Sequence, residues 1–253
     1  ALEKLALAEL VFALETSAAP HPFEQLIALQ GGLPLASPPT LRELGVDPRN
    51  PARRFVTFES EPGLTIPALL LVPEKPKNIG LVLVSEGGKL AAEREFPVER
   101  FLANGWTCLL PDVRGTGELA ALDPRLCVYL GQSAAFGMGH DAAQAARALR
   151  ARTPRLAVLG RGAAGSQAAL YASLLEPGFE LVVGLDGLAS FSDAFDERVS
   201  WLALLPRADQ APSLAELRRC AAAALAPQDR LRWTLAGEPE PDLVQLVNIY
   251  IGW

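Results

Sequence analysis

Residues 156–176 read LAVLGRGAAGSQAALYASLLE. An apolar run suited to a buried strand leads into a glycine-rich corner and then into an alanine-rich helix. Two chemistries are built on that plan. One is the phosphate turn G-x-G-x-x-G, whose glycines let a pyrophosphate approach a helix N-terminus. Gly160, Gly162 and Gly165 match it. Asp186 follows about 20 residues on, where a ribose-binding carboxylate belongs. The other is the nucleophile turn G-x-S-x-G, a strained corner that projects a serine at the top of a sheet. On that reading Gly162 falls on the nucleophile position and supplies no hydroxyl. Ser166 lies about one turn into the helix, too far along to point from the apex.

Position in the chain bears on the choice. A dinucleotide turn normally opens its sheet, whereas at least two buried strand patterns precede this one. IGLVLVSEGG (79–88) and WTCLLPDVRGTGE (106–118) are continuous apolar runs ending in glycine loops, as in strands covered on both faces. Further upstream, RFVTFES (54–60) and LTIPALLLVPE (64–74) flank a short Glu-Pro-Gly turn and read as an antiparallel hairpin. Helices are expected near Glu93–Asn104, over His140–Ala151, and over residues 212–226 with Ser213 as cap. FELVVGLDG (179–187) and RLRWTLAG (230–237) add two more strands. The alternation predicts an α/β fold, a mostly parallel sheet with helices on both faces, opened by the hairpin.

Residues 1–50 read as a helical lead-in and linker before a domain over 51–253. Leu2–Leu14 has helical apolar spacing, Phe23–Leu29 suggests a second short helix, and GGLPLASPPT (31–40) has linker composition, continued by the residues up to Arg54. Residues 119–138 read as irregular.

Composition excludes several functions. Half of the 253 residues are hydrophobic and the net charge is −6, with no Lys/Arg cluster, so nucleic acid and an anionic membrane are poor partners. The three cysteines, Cys108, Cys127 and Cys220, contain no C-x-x-C pair, and His21 and His140 are the only histidines, so no metal is expected. Apolar runs are far shorter than the roughly 20 residues of a membrane helix. The opening ALEKLALAEL has no signal-peptide pattern and lacks Met, which suggests a mature product or a fragment, soluble and of undetermined compartment.

Taken together, FESEPGLTIPALLLVPE (58–74), LVLVSEGGK (81–89) and LLPDVRGTGE (109–118) resemble the α/β-hydrolase superfamily, in its acetyl-xylan-esterase and prolyl-oligopeptidase-like branch. GLDGLASF (184–191) is similar to the strand after that family's elbow helix. The resemblance implies an oxyanion loop at Ser85, Glu86, Gly87 and Gly88, with Ser85 where the family usually has histidine. It implies an elbow at Gly160, Gly162 and Gly165 whose serine is replaced by Gly162. The acid would come after the next-to-last strand, with Asp242 or Glu240 as candidates, and the base would be a histidine one strand later. No histidine follows His140.

The expectation is therefore an esterase-like domain with a vestigial site, no cofactor, and a structural, oligomeric or ligand-binding role beside a neighbouring domain or subunit. Two alternatives stay open: an active carboxyl or carbohydrate (acetyl xylan) esterase with a displaced nucleophile, and an NAD(P)-binding protein using GRGAAG. Asp186 could be structural, an acid of a rearranged site, or the ribose ligand. His140 reads as a helix N-terminal or surface histidine, Asp141 as a first-turn acid, and Asp112 and Arg114 as residues that pair or cap within their own loop. Ser85, Ser133 and Ser166 read as ordinary polar residues, and Trp106, Trp201 and Trp233 as packing residues.

Overall fold

A computed structural model describes residues 22–30, 37–195, 203, 211–225 and 230–251. The expected helix at Leu2–Leu14 and the expected packing of Trp201 lie outside them.

The continuous apolar runs become strands that feed two cores. In β4 (Ile79–Ser85) every residue is buried, and Leu81 and Leu83 face one core while Val82 and Val84 face the other. The same period of two divides β5 (Thr107–Pro111), β6 (Arg155–Arg161) and β7 (Phe179–Gly187). Burying each such Leu or Val stabilises the fold by about 1.5–3 kcal/mol. One face is covered by α1 (Pro22–Leu29), α5 (Ala134–Arg150), α6 (Gly162–Leu175) and α7 (Leu214–Ala224). On the other lie α2 (Lys89–Glu95), α3 (Val98–Ala103) and α8 (Leu243–Tyr250), with Trp106 sealed beneath them.

The strands form one sheet in the order β1-β2-β3-β5-β4-β6-β7-β8. From β5 to β8 (Leu231–Leu235) all pairings are parallel, while β1 (Arg42–Asp47), β2 (Asn50–Glu61) and β3 (Leu64–Leu71) form an antiparallel flank. The hairpin of the sequence reading is β2–β3, with Phe58 opposite Ile66.

Four local expectations are corrected. Residues 42–47, read as linker, are an edge strand; its polar RELGVD offers no burial pattern because it pairs on one side only. The single helix expected over 93–104 is broken into α2 and α3 by Pro97, which holds Phe96 extended (ψ 150°). The segment 119–138 contains α4 (Pro124–Tyr129), capped by Asp123, and the start of α5. Ser133 caps α5, its hydroxyl accepting the Phe136 N–H at 3.3 Å, so His140 and Asp141 sit mid-helix rather than in a first turn.

Candidate functional site

Parallel strands present their carboxyl ends, and the loops that follow them, along one edge of the sheet. At that edge β6 turns into α6 through Gly162, which has φ +81°, a conformation that costs a side-chain-bearing residue. Gly160 has a different reason to lack a side chain: a Cβ there would run into the Gly165 carbonyl, and Gly165 itself lies against the Val84 carbonyl. The glycine pattern thus follows from the tight packing of α6 on β4 and β6, with no bound group needed to explain it.

The space above the corner is filled by the protein. Glu86, at the end of β4, lays its carboxylate over the first turn of α6 and accepts the Ala164 N–H at 2.5 Å. A Cβ built on Gly162 would lie 2.8 Å from Glu86 Oε1. Burial pushes the Glu86 carboxyl up from its ordinary range. The Ala164 and Gly165 N–H groups pull the other way, and nearby Glu95 adds to the rise. Ser85 points elsewhere: its hydroxyl donates to Glu95 at 2.7 Å and accepts the Gly87 N–H at 3.2 Å. Gly88, with φ +77°, lets the chain turn into α2.

Asp112, at the end of β5, holds this loop in place. Its carboxylate accepts the Lys89 N–H at 2.6 Å and the Glu118 N–H at 3.0 Å, and Lys89 Nζ bridges Asp112 and Glu118. Asp112 thus caps within its own loop through the Glu118 N–H, as the sequence suggested, and also ties that loop to the one that follows β4.

Arg161, immediately before Gly162, collects the acidic side chains of the neighbouring strand ends. It contacts Glu240 at 2.6 Å and Asp186 at 3.4 Å and lies over the Phe96 ring. Asp186 has φ 54°, the one positive φ outside glycine among the described residues. Asp242 is elsewhere. It caps α8, accepting the Val244 and Gln245 N–H groups, and pairs with Arg100 at the surface. Of the sequence candidates for the acid, Glu240 and Asp186 reach the elbow through Arg161 and Asp242 does not.

A second polar cluster was invisible in the sequence. Arg114 does not pair within its own loop; it reaches Asp141 at 2.7 Å and Glu61 at 2.6 Å. The Ser60 hydroxyl donates to Asp141 at 2.5 Å and lies 3.3 Å from His140 Nδ1. These are the residue types of a catalytic triad, but the hydroxyl gives its proton to the carboxylate and all three side chains are sealed from solvent. The cluster fastens the 112–118 loop to α5 and β2. Burial alone would raise the Asp141 carboxyl. His140 beside it, the charge and hydrogen bonds of Arg114, and the Ser60 hydroxyl together hold it below its ordinary value. Ser166 is engaged too, donating to the Leu185 and Gly160 carbonyls.

No protein-family model and no curated protein matches the sequence. Among solved structures the chain is similar to a candidate acetyl xylan esterase of Bacteroides fragilis NCTC 9343, with TM-score 0.61, 16% identity, and 85% of this chain and 73% of that one covered. It is also similar to acetyl xylan esterase 1 of Thermoanaerobacterium sp. JW/SL YS485, with TM-score 0.51, 15% identity and 91% of each chain covered. The fold is that of the α/β-hydrolases. In this fold the chain turns from β6 into α6 at Gly162, Ser85–Gly88 close β4 and lead into α2, and Glu240 follows β8. No helix among the described residues is long and apolar enough to cross a membrane.

Proposed function

We propose that this esterase-like α/β-hydrolase domain does not hydrolyse esters by a serine mechanism and acts through its surfaces, in a structural, oligomeric or ligand-binding role. The observation that carries the reading is the pairing of Gly162 with Glu86. The apex has no hydroxyl, and the space where a substrate carbonyl would approach the α6 N–H groups holds the protein's own carboxylate. Arg161 adds to this by engaging Glu240 and Asp186, the acids that could otherwise orient a base. Removing one member of a nucleophile–base–acid unit costs about 10⁴ or more in turnover, because the members act together.

The displaced-nucleophile alternative is best represented by Ser85, at the end of β4, whose hydroxyl donates to the Glu95 carboxylate. The NAD(P) alternative would need a pyrophosphate at the α6 N-terminus, against the Glu86 carboxylate. The test is the intact mass of the chain after exposure to a serine-directed fluorophosphonate, alongside turnover of a short acetyl ester. The expected result is an unchanged mass and background turnover. One phosphonyl adduct mapped to Ser85, with turnover lost in Ser85→Ala, would return the chain to the active esterases.

A further inference from the structure

Away from the elbow, α4 presents an apolar stripe with nothing over it among the described residues. Leu122, Leu126, Tyr129 and Leu130 follow helical spacing and are 47, 59, 77 and 75% exposed. Exposed apolar side chains grouped in this way mark an interaction surface. Beside the stripe is a mostly apolar recess of about 190 Å³, walled by Leu64, Leu122, Leu126 and Cys127 and bordered by Asp123 and by Arg114, whose charge is already paired with Asp141 and Glu61. One short helix therefore carries both a projecting aromatic ring and an apolar hollow.

We infer that this face joins two copies of the chain about a two-fold axis, Tyr129 of each copy entering the α4 recess of the other. Two observations single out a second copy. A two-fold contact must be self-complementary, so that a projection on one copy meets a hollow on the other, and both lie on this patch. Charge points the same way. The chain carries a net −6, so two copies repel one another overall, whereas this stripe is flanked by one acid and one base, Asp123 and Arg125, already paired at 2.8 Å. Two such flanks meet without net charge. Tyr129 suits the role because its ring brings large contact area while its hydroxyl can stay at the wet rim.

Sedimentation equilibrium over about 1 to about 100 µM chain, a span that covers micromolar affinities, is the test. The expected result is twice the chain mass at the upper end for the unaltered protein and a single chain mass for Tyr129→Glu, with thermal unfolding unchanged at the lower end, where both are single chains and Tyr129 is exposed. A second readout is the alkylation of Cys127, mapped by peptide mass. It should be slow in the concentrated wild type and several-fold faster in Tyr129→Glu. A wild type that stays at one chain mass, or a variant that still doubles, overturns the inference. If removing residues 1–20 unmasks Cys127 in a single chain, the N-terminal segment rather than a second copy covers the stripe, and the inference fails.

Discussion

Glu86 and Gly162 come from loops 76 residues apart in the chain, yet the carboxylate of the first occupies the surroundings that a side chain on the second would need, 2.8 Å from its Cβ position. The pair ties the backbone conformation of the elbow to the fate of the loop opposite. Two costs therefore meet at this position: a φ of +81°, and a carboxylate that must move aside.

The costs separate experimentally. Gly162→Ala should lower stability by roughly 1–3 kcal/mol from the backbone term, plus whatever is needed to displace Glu86. In an Glu86→Ala background the steric part disappears and the backbone part remains, so the two changes should be non-additive. Chemical denaturation of the four proteins of this cycle measures the coupling. Strict additivity would mean that Glu86 does not press on the elbow.

Glu86 also predicts a pH dependence. Its folded carboxyl is raised above the ordinary 4.5, so the folded state takes up the proton more readily than the unfolded one. The associated stability is fully present below pH 4.5 and is lost as the pH rises through the folded value. Glu86→Gln keeps an acceptor for the Ala164 N–H without a charge to bury. The variant should gain melting temperature over the wild type at pH 8, and the difference should shrink at pH 4. A variant destabilised equally at both values would show that the charge itself is favoured there.

These dependences were partly legible in advance. The buried strands were readable because a strand covered on both faces is apolar throughout, as in LVLV at 81–84, and α7 because Ser213 stands as a cap before an amphipathic run, a cap the structure completes with Glu216. The strand-to-helix turn at Gly162 was readable for the same reason: a glycine corner between an apolar run and an alanine-rich run is a local signal. Polarity hid β1, and Gly137 and Gly139 weakened the helical signal at the start of α5, which left His140 and Asp141 misplaced at a helix end. Contacts that close the site join residues far apart in sequence, Glu86 to Ala164 and Arg161 to Glu240, and no spacing rule encodes them.

The buried Ser60–His140–Asp141–Arg114 cluster gives a prediction of opposite sign. The Asp141 carboxyl is held below its ordinary 3.8, so its contribution is present above pH 3.8 and is lost as the pH falls through the lower folded value. Asp141→Asn leaves the Arg114 guanidinium with one fewer charged partner in a largely enclosed position. The expected loss is about 3–5 kcal/mol near neutral pH. The penalty should narrow in acid below pH 3.8, where the wild type forfeits the same interaction. Urea unfolding at pH 7 and pH 3 provides the comparison, and a penalty that is the same at both would remove the ion pair as the cause.

The hold of Arg161 on the two acids beside the β6–α6 turn can be measured directly. Glu240 lies at 2.6 Å and Asp186 at 3.4 Å from the guanidinium, and both acids are more exposed than Arg161 itself. Exposure screens such pairs, so the Arg161–Glu240 coupling in a double-mutant cycle with Arg161→Met and Glu240→Gln should be modest, roughly 0.5–1 kcal/mol. The Asp186 coupling should be smaller because its contact is longer. For that arm Asn is the right replacement: Asp186 has φ 54°, which Asn tolerates, whereas Ala would add backbone strain unrelated to the charge. Raised salt should reduce both couplings without abolishing them, since Arg161 is largely shielded. If Glu240→Gln costs the same whether or not Arg161 is present, the guanidinium does not hold that acid, and Glu240 would be free to serve another partner at the elbow.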